Sequence, residues 1–254
     1  MSNAVIDWRP AREVLPLADN ALHIWCALAS EHEPALPRYT RHLSPDELRR
    51  AGRMRLPKLQ ERFIIGRGLL RALLGRYLDC RPELIKFACS PQGKPYLPAS
   101  CSATQLNFNL SHSRDAILFA VRLHEPVGID IEYMRDNLDF TSLAKRFFSD
   151  QEYRDISTLA GPEQRTAFYT YWTRKEAYLK ATGKGLAGLR EAVAADMPEG
   201  KPDTVKQYGL NSAGECWSVI DLTIPEPAYA GAVAFAGQTE HIISLLLIPD
   251  GLGI

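Results

Sequence analysis

The chain has 254 residues, 46% of them hydrophobic and 24% charged, which is ordinary for a globular protein and long enough for one large domain or two modest ones. Lys plus Arg and Asp plus Glu both total 30, so the net charge is zero and a broad nucleic-acid footprint is excluded, though a local basic pocket is not. No apolar run approaches the ~18 residues of a membrane span, and the first residues carry neither the basic region nor the apolar stretch of a secretory signal, so a cytoplasmic location is expected. The five cysteines (Cys26, Cys80, Cys89, Cys101, Cys216) are scattered and form no CxxC pair, which argues for reduced thiols rather than a disulfide framework or a zinc site.

The first helical signal runs from Ser44 to Leu78. Phe63, Leu70, Leu74 and Tyr77 form one apolar stripe, Ser44 with Glu47 makes a capping box, and Pro57 predicts two helices or a kink. Strand-like runs follow at Leu106–Leu110 and Ala116–Leu123. In the next run Val127, Ile129 and Ile131 alternate with Gly128, Asp130 and Glu132, so the apolar residues share one face and the carboxylates the other. A long helical region is predicted from Ser149 to about Lys184, ended by Gly183 and Gly185. The remainder reads as strands at Cys216–Ile224, Tyr229–Phe235 and His241–Ile248. The order is helix then strands, twice, with a boundary near His124–Pro126.

Five short constellations can carry chemistry. Asp130 and Glu132 on one strand face suit a hard divalent cation, and equally suit a polar outer face. Trp172, Glu176 and Lys180 share a helix face, either as a metal–phosphate pair beside a tryptophan or as a surface Glu–Lys pair. Ser149-Asp150-Gln151-Glu152 is a capping box whose glutamate could also act as a general base. In Asn107-Phe108-Asn109-Leu110-Ser111-His112-Ser113 the histidine is either structural or, as imidazolium, a phosphate ligand presented by a loop after the strand. Gly93-Lys94-Pro95-Tyr96 is a turn with a lysine.

In this order and at these intervals, GKPYL, FNLSHS, VGIDIE, FFSDQE and WTRKEAYLK resemble the Sfp-type 4′-phosphopantetheinyl transferases over about Ser44 to Leu186. Both diagnostic patterns, G-[IV]-D and W-x-x-K-E-[AS]-x-x-K, are complete. The resemblance implies an α+β fold of two similar halves about a pseudo-twofold axis, residues 1–124 and 125–254, with the active site in the cleft between them. It implies transfer of phosphopantetheine from coenzyme A to a serine of an apo carrier protein, giving 3′,5′-ADP, by a magnesium-dependent monomer with no nucleic-acid or membrane partner. Asp130, Glu132 and Glu176 would ligate magnesium, and Lys180 would contact the pyrophosphate. Arg50 and His112 would hold the 3′-phosphate, and the first half would face the carrier protein. The backbone of Gly93, Lys94 and Pro95 would receive the adenine. Asn109, Leu110, Ser111 and His112 would line the nucleotide pocket, and Glu152 would be the base. Where some relatives carry a basic residue three positions before Arg50, this chain has Glu47, which leaves Arg62 and Arg53 as substitutes. A non-catalytic binding relative and a magnesium-dependent hydrolase of nucleotide pyrophosphates are the alternatives.

Overall fold

The computed structural model describes residues 7–11, 13–98, 105–185, 206–210, 216–237 and 239–249; Cys101 and Leu186 lie outside them. The elements in chain order are β1 Arg9–Ala11, β2 Ala21–Leu28, α1 Leu36–His42, α2 Pro45–Gly52, α3 Pro57–Tyr77, β3 Ala88–Cys89, β4 Pro95–Tyr96, β5 Leu106–Ser113, β6 Ala116–Leu123 and β7 Val127–Tyr133. They continue with α4 Phe140–Phe147, α5 Asp150–Ser157, α6 Gly161–Thr182, β8 Lys206–Leu210, β9 Cys216–Leu222, β10 Tyr229–Ala236 and β11 His241–Leu247.

This is a mixed α+β fold. One sheet has the order β1-β11-β2-β6-β5 and a second the order β7-β10-β9-β8, with β3 and β4 forming a small hairpin. Strand periodicity builds the layers. On β6, Ile117, Phe119 and Val121 pack with Ile65, Leu69 and Leu73 of α3, while Ala116, Leu118 and Ala120 belong to a second core with Ile129 and Ile131 of β7 and Val233 and Phe235 of β10. The two sheets therefore bury a common apolar layer. Helix α6 covers the far face of the second sheet, where Ala177 and Ala181 meet Trp217, Val219, Ala232 and Ala234. Strand β11, near the C-terminus of the chain, runs parallel to β1 and β2 in the first sheet.

The expected break at Pro57 is real: α2 ends at Gly52 and α3 begins at Pro57. The helical region expected over 149–184 consists of two helices, because the chain stops at Ser157 and restarts at Gly161 with Pro162 in its first turn. Gly183 closes α6 in the left-handed region, at φ 72°. Strand β5 continues to Ser113, so His112 stands inside a strand, paired with Ile117, and not in a following loop. Strand β2 was not anticipated. Its residues are buried on both faces, so it shows an apolar run broken only by His23 instead of an alternation.

Candidate functional site

The site forms where the two sheets meet edge to edge. Strand β5 ends the first sheet and β7 ends the second, and the two run side by side without a backbone ladder between them. Side chains take its place. Asn109 Oδ1 accepts the Ile129 N–H at 2.8 Å, and Ser113 Oγ accepts the Tyr133 N–H at 3.0 Å. Two outward amides of an edge strand are thus satisfied without a third strand.

The carboxylate face of β7 is not a solvent face, because α6 lies across it. A Cβ on Gly128 would stand 2.1 Å from the Ala177 carbonyl oxygen and 2.3 Å from the Ala181 nitrogen. Only glycine allows this approach, and the approach brings Lys180 onto Asp130. Lys180 Nζ lies 2.6 Å from Asp130 Oδ1 and donates to Ser111 Oγ at 2.9 Å, and Ser111 Oγ in turn lies 2.9 Å from the same carboxylate oxygen. Asp130 is 3% exposed, and its Oδ2 is buried with no hydrogen-bond partner. Glu132 Oε2 receives Ser113 Oγ at 2.8 Å. Glu176, one turn before Lys180 on α6, has a buried Oε1 without a partner.

The electrostatics mark these three acids as one group. Burial, then Asp130 and Glu132, raise the Glu176 pKa to about 7 against the pull of Lys180. Burial also raises Glu132, with Asp130 adding to the rise, and raises Asp130 despite Lys180. Among the described residues no three His, Cys, Asp or Glu side chains already stand as a closed ligand set. The two orphaned oxygens and the mutual repulsion of three oxygen donors are nevertheless the arrangement that a hard divalent cation relieves.

A cleft of about 640 Å³ opens above this group, within the usual range for ligand pockets. Its walls include Gly93, Lys94 and Pro95 of the β3–β4 hairpin, Asn109 and Leu110 of β5, and Glu176 and Lys180 of α6. Seven of the residues singled out from sequence therefore share one cavity. Ser111 is buried and turned toward β7, away from the cleft, and Glu132 and Glu152 do not line it.

Lysine 94 does more than the sequence suggests. Its Nζ donates to the carbonyls of Lys180 at 2.6 Å and Val127 at 3.0 Å. The hairpin is thereby pinned to the start of β7 and to a last-turn carbonyl of α6, at the negative end of that helix. Burial, then the charge of Lys180, lowers the Lys94 pKa to about 8. A lysine between Gly93 and Pro95 carries no sequence mark of this reach; only the fold brings 94 to 180.

Arg50, His112, Arg62 and Arg67 form a separate basic group, and neither they nor Asp130 line the cleft. His112 is exposed on β5, yet desolvation by the surrounding protein and then the charges of Lys180, Arg62 and Arg67 lower its pKa. The exposed Arg50 guanidinium lies over the Phe63 ring at 5.2 Å, and Arg67 lies over the same ring at 6.0 Å. Glu47 is committed elsewhere: it caps α2 and pairs with Arg71 at 2.7 Å and Arg67 at 3.8 Å. Glu152 is 4% exposed, completes the capping box of α5 with Ser149, and pairs with the fully buried Lys175 at 2.7 Å.

Comparison with known proteins bears on both halves of the chain. The family model described as "4'-phosphopantetheinyl transferase superfamily" matches residues 126–234, and that described as "4'-phosphopantetheinyl transferase, N-terminal" matches residues 28–124. The 4′-phosphopantetheinyl transferase HetI of Nostoc sp. is 40% identical over 230 residues, covering 91% of this chain and 94% of that protein. A putative 4′-phosphopantetheinyl transferase of Synechocystis sp. is 38% identical over 173 residues, 68% of this chain and 69% of that protein. The 4′-phosphopantetheinyl transferase Sfp of Bacillus subtilis is 33% identical over 151 residues, 59% of this chain and 64% of that protein.

Proposed function

The chain belongs to the 4′-phosphopantetheinyl transferase superfamily, and from that premise we propose that it moves the phosphopantetheine arm of coenzyme A onto a serine of an apo carrier protein, releasing 3′,5′-ADP. The observation that carries the reading is the cleft of about 640 Å³, with a glycine-lysine-proline hairpin on one wall and Glu176 and Lys180 on the other. It is large enough for a nucleotide, and the Glu176 carboxylate and Lys180 ammonium on its wall support a pyrophosphate with a counter-ion as the ligand.

The residue roles are those the family resemblance implies, and the geometry supports several of them. Asp130, Glu132 and Glu176 are the residues to hold magnesium, which when bound neutralises the pyrophosphate as a Lewis acid. Lys180, already placed by Asp130 and Ser111, adds a positive charge against the departing 3′,5′-ADP. The backbone of Gly93, Lys94 and Pro95 receives the adenine, on a hairpin that the Lys94 ammonium holds in place. Asn109 and Leu110 form the adjoining wall. His112 and Arg50, with Arg62 and Arg67 beside them, hold the 3′-phosphate, whose charge would raise the imidazole pKa again. Glu152, which keeps one buried oxygen free, takes the serine proton as the serine oxygen attacks the pantetheine-bearing phosphorus. Residues 1–124 and 125–254 act as the two related halves, with β11 returning to the first sheet, and one chain suffices for the reaction. The first half presents the carrier-protein surface. Among the described residues no helix is long and apolar enough to cross a membrane, and a cytoplasmic site of action is in keeping with the substrates.

The test is incubation with coenzyme A, magnesium and a panel of apo carrier proteins, read by intact mass. A carrier heavier by one phosphopantetheine group is the expected result. Coenzyme A consumed with the carrier unmodified would identify a pyrophosphate hydrolase. Neither change in any carrier would identify a binding protein.

A further inference from the structure

Two serines on β5 face two carboxylates on β7, in matched register. Ser111 Oγ lies 2.9 Å from Asp130 Oδ1, and Ser113 Oγ lies 2.8 Å from Glu132 Oε2. Residues two apart on one strand share a face, so the pairing follows from two strands running side by side in the same direction. The proton of each hydroxyl is also assigned. Ser111 Oγ has Lys180 Nζ as its other partner at 2.9 Å, and Ser113 Oγ has the Tyr133 N–H at 3.0 Å. An ammonium and a backbone amide can only donate, so each hydroxyl must spend its single proton on its carboxylate.

We propose that Ser111 and Ser113 are positioning residues that orient Asp130 and Glu132 for a divalent cation. Each hydroxyl fixes one carboxylate oxygen and thereby aims the other. For Asp130 the aimed oxygen is Oδ2, which is buried and has no partner within the protein. Ser111 is 8% exposed and does not line the cleft, so its hydroxyl acts through Asp130 and Lys180 and not on the nucleotide directly. Ser113 fills the same role at Glu132, and its backbone continues the strand that carries it. Outer groups that orient metal ligands typically change affinity by about 10–100-fold when removed.

This inference rests on the magnesium reading of the three acids, and the experiment separates the two. Magnesium is titrated calorimetrically into the full chain with coenzyme A bound, for the wild type, Ser111→Ala, Ser113→Ala, Ser113→Thr, Glu132→Gln and the pair Glu132→Gln/Ser113→Ala. Ser113→Ala is expected to weaken magnesium binding by about 10-fold, and Ser113→Thr, which keeps the hydroxyl, by less than about twofold. In the Glu132→Gln background the serine change should add less than about twofold, because its effect runs through that carboxylate. Ser111→Ala should weaken magnesium about as much as Ser113→Ala; if it does not fold, Ser111→Thr takes its place and should match the wild type. An unchanged magnesium affinity in Ser113→Ala would overturn the proposal, as would an equal loss with and without Glu132. If the wild type itself takes up no magnesium, the metal reading falls first and this inference with it.

Discussion

Helices α2 and α5 begin with the same device and end up chemically different. In each, a serine N-cap accepts the N–H of a glutamate three residues on, at 3.3 Å from Ser44 and 3.2 Å from Ser149, and the glutamate accepts the serine N–H. In each, that glutamate also pairs at 2.7 Å with a buried cation of the long helix that follows: Glu47 with Arg71, Glu152 with Lys175. The first arrangement engages more partners. Arg71 makes two further bonds, to the Pro82 and Ile85 carbonyls, and Arg67 stands by the second oxygen of Glu47. In the second, Oε1 of Glu152 is buried and has no partner. A capping box is therefore compatible with either a finished structural joint or a carboxylate with a lone pair to spare. The partner on the long helix, a forked guanidinium or a point-charge ammonium, decides which.

The strongest way to break this comparison is to remove the cations. Lys175→Met leaves the buried Glu152 carboxylate without its cation, and Arg71→Met leaves the partly buried Glu47 only the more distant Arg67; each should cost about 3–5 kcal/mol in urea unfolding. The Arg71 change should be the larger, since two carbonyls lose a donor with it. Restoring neutrality with Glu47→Gln or Glu152→Gln in the same chain should recover part of the loss. Losses below about 1 kcal/mol would mean that the glutamates are hydrated, and that the two joints are surface features.

Acid separates the regions differently. The first region holds three buried imidazoles, His23, His32 and His42, whose pKa values burial lowers, His23 to about 4. The stretch 149–185 has no histidine. An unfolded histidine binds its proton near pH 6.5, while native His23 waits until about 4. Between those values the unfolded state holds more protons, so stability falls as pH falls. From pH 7 to 4.5, His23 alone should remove about 2–3 kcal/mol, at ~1.4 kcal/mol per pKa unit. Urea titrations of the wild type and His23→Gln should both lose stability as pH falls, with the variant's slope shallower by the share of His23, since His32 and His42 remain. Parallel slopes would exclude His23 as the group responsible.

Turnover sharpens the contrast. Glu152→Gln should lower kcat by about 100-fold with little change in KM for coenzyme A, as expected for a group acting only on the serine proton. Glu47→Gln should leave kcat within about twofold, although both variants keep a side chain competent in a capping box. Equal kcat values for the two would make Glu152 a structural joint like Glu47.

What the sequence disclosed follows the same division between local and distant effects. Both capping boxes, the break at Pro57, the stop at Gly183 and strands β6, β7 and β10 were legible, because each is fixed by residues within a few positions of one another. The two acids of β7 were visible as a pair, but their burial was not, since the face they share is covered by a helix some fifty residues away. The same distance hid the reach of Lys94 to Val127 and Lys180, the serine partners of the acids, and the pairing of Glu47 with Arg71. The α5–α6 break was missed because Leu159-Ala160-Gly161 carries a weak punctuation signal before Pro162. The low strand propensity of Ser-His-Ser predicts a loop at His112, and its pairing with β6 overrides that.

The smallest expected effect tests whether the two caps are equal as caps. Ser44→Ala and Ser149→Ala each remove one hydroxyl acceptor from a glutamate N–H, and each should cost about 1 kcal/mol. The losses should agree within a few tenths, since the two bonds have nearly the same length. Neither change touches the bond from the serine N–H to the glutamate Oε2, so both carboxylates keep their orientation. Ser149→Ala should therefore lower the melting temperature slightly and leave kcat close to the wild type, while Glu152→Gln does not. That pattern would separate the cap, which belongs to the serine, from the proton transfer, which belongs to the free oxygen of the glutamate. A Ser149→Ala variant that loses as much turnover as Glu152→Gln would mean that the hydroxyl bond holds the carboxylate in its working position, and that cap and base are one unit.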